Sequence, residues 1–151
     1  MAKIQKASED VVNQFNEVKE RTTIPRWIEF EILSNNKQKE IYKISKANDV
    51  VEVLTGGVNF VVIINEEIFD GLTSDMQEMI INEALAGVSV NDNDAISLEK
   101  PNFNTHRSML EHYGHEPIIR LHESVKSLYD AKKQREDEEK ARTKKGKKTE
   151  N

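Results

Sequence analysis

The segment from about Asp75 to Gly87 constrains this chain more than any other. Met76, Met79, Ile80, Ile81, Ala84 and Leu85 would cover most of the circumference of a helix there. A helix that is apolar on nearly every side has to lie inside a fold. The preceding Ser74-Asp-Met-Gln77 has the form of a capping box, a hydroxyl followed three residues later by an amide that can bond back. Whatever this chain folds into must therefore wrap around residues 75–87.

The remaining segments supply the wrapping. Residues 60–65 (FVVIIN) form a continuous β-branched run, the pattern of a central strand covered on both faces. Trp27 to Leu33 alternates, with Ile28, Phe30 and Ile32 on one side, as a half-buried strand does. Ser34 to Gln38 has turn chemistry, so Glu40 to Ile44 reads as the returning strand of a hairpin. Helices are expected over residues 8–20, capped by Ser8, and over 46–54, stopped by Gly56 and Gly57. Val88 to Val90 and Ala95 to Leu98 flank the turn residues Asn91 to Asp94 as a small hairpin. A loop starts at Pro101, a short helix runs from Thr105 to His112 before Gly114, and a long charged helix covers about 118–140. Its one apolar stripe is Ile118, Leu121, Val125 and Leu128. The fold class that follows is α+β: a small mixed sheet packed on a buried helix, with a long charged C-terminal helix.

Charge divides the chain unevenly. Residues 131–151 hold nine Lys/Arg and five Asp/Glu, which leaves 13 basic and 22 acidic side chains elsewhere. The formal net charge of −5 thus hides an acidic body near −9 and a basic end near +4. Three segments are expected: 1–24 helical, 25–130 an α+β domain, and 131–151 a charged, flexible tail. An acidic body speaks against a nucleic-acid-coating domain, since phosphate contacts need clustered Lys and Arg. The absence of cysteine excludes disulfides, thiolate metal sites and a Cys nucleophile. The start, MAKIQKASEDVV, lacks the apolar core of a signal peptide, and the longest apolar run, Phe60 to Ile64, is far too short to span a bilayer.

The order strand pair, helix, buried strand, buried helix, small hairpin, helix resembles the zincin-like metallopeptidases common in bacteriophage genomes. The matching stretches are FVVIINEEIFDGLTSDMQEMIINEALAGVSV and PNFNTHRSMLEHYG, within residues 40–114. The resemblance implies a single zincin-like domain over 25–130 and phage origin, similar to histidine-poor versions in large phages of gut bacteria. It also implies a soluble protein of the host cytoplasm or the virion. In that family the buried helix carries His-Glu-x-x-His, followed downstream by a further polar ligand.

That motif works because two histidines four residues apart can bind one zinc while the adjacent glutamate acts as general base on the metal-bound water. Here the same positions read Asn82, Glu83, Ala84, Leu85 and Ala86. The general-base position survives as Glu83. The first ligand position holds Asn82, a poor zinc ligand, and the second holds Ala86, which has no donor. A catalytic zinc needs three protein ligands plus water. Without a metal, water keeps its ordinary pKa, near 15.7 rather than about 7, and Glu83 alone faces a very large barrier. The expectation is a pseudoenzyme with no cofactor, zinc being the one that an unusual ligand set would recruit.

His106 falls where the family places its downstream ligand. It is either a leftover ligand or an exposed or N-capping side chain. Glu83 is either a retained acid or base, or a carboxylate paired with a nearby Lys or capping a buried backbone group. His112, His115 and His122 are either metal ligands or ordinary side chains, and His112 and His115 lie across Gly114 and so need not share a face; Asp92 and Asp94 make a turn rather than a calcium loop. Lys144, Lys145, Lys147 and Lys148 could contact nucleic acid, but no aromatic residues are interleaved to stack on bases. Three functions compete: a protein-binding or structural module whose partner is a phage or host protein, a metal hydrolase with non-standard ligands such as Glu83 and His106, and a virion or nucleic-acid-associated component anchored by its basic end.

Overall fold

The computed structural model describes residues 4–99 and 106–149, and their side chains except those of 107 and 144–149. Strand β1 (Gln5–Lys6) leads into helix α1 (Glu9–Glu20), whose N-cap Ser8 accepts a hydrogen bond from the Val11 amide. Val11, Phe15 and Val18 recur on one face of α1 and are all buried. The chain then gives β2 (Phe30–Ser34), β3 (Tyr42–Lys46) and helix α2 (Asp49–Thr55). Asn48 caps α2, and Gly56 closes it in the left-handed conformation at φ 78°. Strand β4 (Phe60–Ile64) and the short helix α3 (Glu66–Asp70) follow. Next come α4 (Ser74–Ala86), the hairpin β5 (Val88–Val90) and β6 (Ile96–Leu98), α5 (Arg107–Tyr113) and α6 (His115–Thr149). The molecule is mixed α+β with a small mixed sheet and a long C-terminal helix, as expected. Among the described residues no helix is long and apolar enough to cross a membrane.

The sheet runs β1-β2-β4-β3. Strand β4 pairs parallel with β2, Phe30 opposite Phe60, and antiparallel with β3, Tyr42 opposite Ile64. This corrects the expected hairpin: β2 and β3 are not neighbours, because β4 lies between them. The reason is burial. Phe60, Val62 and Ile64 need cover on both sides and are essentially inaccessible in the central position, whereas β3, with Lys43 and Lys46, tolerates an edge. Register brings the Phe30 and Phe60 rings to 5.4 Å, stacked, and Phe15 of α1 meets Phe30 at 5.2 Å. Aromatic pairs of this kind contribute about 0.5–1.5 kcal/mol beyond their area.

Helix α4 is buried through Met79, Ile80, Ile81, Ala84 and Leu85. Its cap differs from the capping box expected at Ser74. Thr73 is the N-cap and accepts from the Met76 amide, while Gln77 is drawn away, donating to the Phe69 carbonyl at 2.8 Å and accepting from Gln14 at 3.2 Å. Helix α3 was not foreseen either; Asn65 caps it by accepting from the Ile68 amide. Thr105, expected to start the penultimate helix, and Pro101, expected to start the preceding loop, lie outside the described residues.

The core takes in residues on both sides of 24, and the long charged helix runs across 131. Val11, Phe15 and Val18 belong to the same core cluster as Ile32, Val62, Ile80 and Leu121, so residues before 25 complete the domain. At the other end, α6 crosses residue 131 as continuous helix, and Lys132 ties it to the body through Glu67 at 2.9 Å and the Asn36 carbonyl.

Candidate functional site

Helix α4 turns about 100° per residue, so Asn82 and Ala86, four apart, share a face, while Glu83 looks elsewhere. Asn82 and Ala86 line a cavity of about 300 Å³ walled also by Ile24, Met109, His112 and Tyr113. Helix α5 brings the last three there; Gly114 stops it with φ 83°, a conformation that suits glycine. The Asn82 side-chain amide donates to the Tyr113 hydroxyl at 2.7 Å. Burial raises the Tyr113 pKa and the Asn82 contact opposes the rise. The His112 ring stands edge-on to Tyr113 at 4.6 Å.

Glu83 is directed at the sheet and is only 6% exposed. Burial pushes its carboxyl up to about 7, against a hydrogen bond from Tyr42 that favours the charged form. Tyr42, in turn, is raised strongly, by burial first and then by the Glu83 charge. The partner of Glu83 is thus a phenol on β3, not the lysine or backbone group expected. Near pH 7 the carboxyl is divided between its acid and its carboxylate.

His106 sits at the N-cap of α5 but makes no capping hydrogen bond with its side chain. It is half-buried rather than exposed, and burial lowers its pKa. Its ring lies against Gly87, 3.2–3.3 Å from where a Cβ would stand, and the same Cβ would come within 2.6 Å of the Glu99 carbonyl. Gly87 therefore lets the end of α4, the end of β6 and His106 approach one another. The four sequence-singled residues thus divide three ways: Asn82 and Ala86 on the cavity, Glu83 against Tyr42, His106 against Gly87.

These residues do not fit a zinc ion. Asn82 is engaged with Tyr113, Ala86 has no donor atom, and Glu83 faces a phenol. Among the described residues no group of three or more His, Asp or Glu side chains is placed to hold a metal. The arrangement can instead accept a ligand group: apolar walls from Ile24, Leu85 and Met109, with polar points from Asn82, Tyr113 and His112. Asn91 and Asp94 form the expected hairpin turn, Asn91 Oδ1 accepting from the Asn93 and Ala95 amides and Asp94 standing at φ 59°. The α6 backbone carries Lys144, Lys145, Lys147 and Lys148 as helix; their side chains lie outside the described residues.

A polar cluster just past the C-terminal end of β4 escaped the sequence reading. Asn65 is fully buried and donates to the Gln38 carbonyl at 3.1 Å and to the Tyr129 hydroxyl at 3.3 Å. Burial raises Tyr129 to about 12. A second cavity, of about 430 Å³, opens between the loop after β2 and α6. Its available signal was a single Asn closing an apolar strand, where a buried amide must find partners. No family model, no curated protein and no solved structure matches this chain.

Proposed function

We propose that this chain is a catalytically inactive zincin-like module of phage origin that binds a phage or host protein through the cavity between α4 and α5. The observation that carries this reading is the 2.7 Å Asn82–Tyr113 hydrogen bond, which occupies a ligand position of the zincin motif, beside Ala86 at the other. A partner side chain, apolar at its tip and polar at its base, suits walls of Ile24, Leu85 and Met109 rimmed by Asn82 and His112. The test has two arms. Tag-free protein is first assayed for metal by elemental mass spectrometry; one zinc per chain would overturn the reading and favour the metal hydrolase, with Glu83 and His106 the next residues to replace. Capture of phage and host proteins is then compared, in the presence of a chelator, between the natural chain and Ala86→Trp, which fills the cavity. A specific partner lost in the variant supports the reading; capture unchanged by the variant removes the cavity from it.

A second reading rests on α6. The helix backbone continues through Lys144, Lys145, Lys147 and Lys148, and such a basic helical end would contact phosphates of nucleic acid in a virion or infected cell. It requires binding that weakens steeply with salt and disappears when residues 143–151 are removed.

A further inference from the structure

Among the described residues the four-stranded sheet is covered by helices on one face only. Phe60, Val62 and Ile64 of β4 point to the helices and are buried, while Val61 and Ile63 point the other way and are half-buried. Register extends this outer face to the neighbouring strands. Leu33 of β2 and Lys43 of β3 stand opposite Ile63, Glu31 and Ser45 opposite Val61, and Lys6 of β1 opposite Leu33. Ile4 precedes Lys6 by two residues, the strand period, and is 44% exposed. The core cluster draws on α1, α4, α5 and α6 and includes none of Leu33, Val61 and Ile63, and α2 buries none of its own residues.

A sheet face left to water alternates to polar residues, and parallel strand pairs carry cover on both faces. Strands β2 and β4 are a parallel pair, yet their uncovered face keeps Leu33, Val61 and Ile63 side by side. The far half of α6 offers nothing to cover it: from Ala131 to Thr143 it holds no apolar side chain larger than alanine. A second copy of the sheet is opposed by charge. Lys6 and Lys43 bound the apolar strip on its two sides, so two such faces in contact would set lysine against lysine, whichever edge met which.

The strip between these lysines spans three strand spacings, about 14 Å. A helix with its side chains is about 10–12 Å across. One helix laid along the strands therefore fills the strip and brings each of its flanks against a lysine. Both lysines are exposed, and the ion pair of Lys43 with exposed Glu40, at 3.5 Å, holds it weakly.

We infer that the outer face of the sheet docks an acidic amphipathic helix of a partner protein, its apolar stripe on Leu33, Val61 and Ile63 and its flanking carboxylates on Lys6 and Lys43. Glu31, one row away on β2, sets the partner's charges toward the Lys6–Lys43 row. The face lies across the sheet from α4, so the inference does not depend on the function proposed for the α4–α5 cavity.

The test is a titration of the full chain, followed by backbone amide shifts, with two synthetic helical peptides of ~14 residues, about the length of the strands they would cover. Both carry leucines at helical spacing; one has glutamates on its flanks and the other lysines. Saturable shifts at residues 31–33, 43–45 and 61–63 are expected with the glutamate peptide, and at least tenfold weaker binding with the lysine peptide. Lys6→Glu combined with Lys43→Glu changes only exposed side chains and should reverse that preference, while Glu31→Gln should strengthen binding of the glutamate peptide. Val61→Thr, which keeps a β-branched residue in the strand, should weaken it about fourfold. No saturable shift at these amides overturns the docking face. Equal affinity for the two peptides, or a preference untouched by the charge reversal, overturns the acidic partner. Sedimentation equilibrium of the chain alone should show a monomer; a dimer weakened by Val61→Thr would assign the face to a second copy and overturn the helix.

Discussion

The Asn82 amide and the Tyr113 hydroxyl, 2.7 Å apart, join the buried helix to the helix that follows the small hairpin. In the reading proposed above, this bond stands where metal coordination would link those two elements. Tyr113→Phe removes the acceptor and leaves a partly buried amide unpaired, so a loss of about 1–2 kcal/mol is expected in urea unfolding. No loss would mean that the bond contributes nothing to the docking of α5.

The proposed zincin ancestry makes a stronger demand. Asn82→His together with Ala86→His restores two imidazoles four residues apart around Glu83. The doubly substituted protein should acquire zinc in equilibrium dialysis while the natural chain does not. Failure to gain zinc, in a variant that still folds, would count against the ancestry.

Glu83 makes stability depend on pH in a definite direction. Its folded-state pKa of about 7 lies above the ordinary 4.5. The contribution of its neutral form is therefore fully present below pH 4.5 and is lost as pH rises through about 7. Glu83→Gln cannot ionise, so its stability relative to the natural chain should grow between pH 5 and pH 8, by at most about 3 kcal/mol. Tyr42→Phe removes the hydrogen bond that favours the carboxylate, and should move the midpoint upward. Urea midpoints at four pH values for the three proteins decide the matter; parallel curves would rule out a raised Glu83 pKa.

Two glycines should respond differently to alanine. At Gly87 the new methyl meets the Glu99 carbonyl at 2.6 Å and the His106 ring, so backbone has to move. A cost of about 1–3 kcal/mol is expected, together with changed amide shifts in α5. At Gly56 nothing lies within 4 Å, and only the positive φ is penalised, by about 1 kcal/mol. Thermal unfolding of the two variants separates crowding from backbone preference.

Asn65 closes the central strand, caps α3 and reaches both Gln38 and Tyr129. Asn65→Ala should cost about 3 kcal/mol, because one substitution leaves several buried groups unsatisfied. A cost under 1 kcal/mol, measured by chemical denaturation, would show that water replaces the amide.

What could be read from the sequence was whatever depends on local pattern. The apolar circumference of α4, the β-branched run of β4, the Ser8 cap and the Gly56 stop are each visible within a few residues. The pairing of β2 with β4 was not, because adjacency along the chain favours β2 with β3 and only the burial demand of Val62 and Ile64 reverses it. That Asn82 and Ala86 are unsuited to ligate zinc was plain from residue type alone. That Tyr113 and Tyr42 would take up Asn82 and Glu83 was not, since both contacts span more than thirty residues or cross between helix and sheet. The charged end is exposed over residues 133–143, in keeping with its composition, but the ion pair by which Lys132 holds α6 to Glu67 was not legible there.

The placement of β4 between two strands made before it has a consequence for synthesis. Phe30, Ile32 and Ile44 are translated early, but the strand that pairs with both β2 and β3 ends only at Ile64. Until that residue has cleared the ribosome, the two earlier strands carry apolar side chains and unpaired edges with no native neighbour except the two residues of β1. The nascent protein thus passes through an interval in which its sheet cannot close, however fast its helices form, and the arrival of a single five-residue strand ends it.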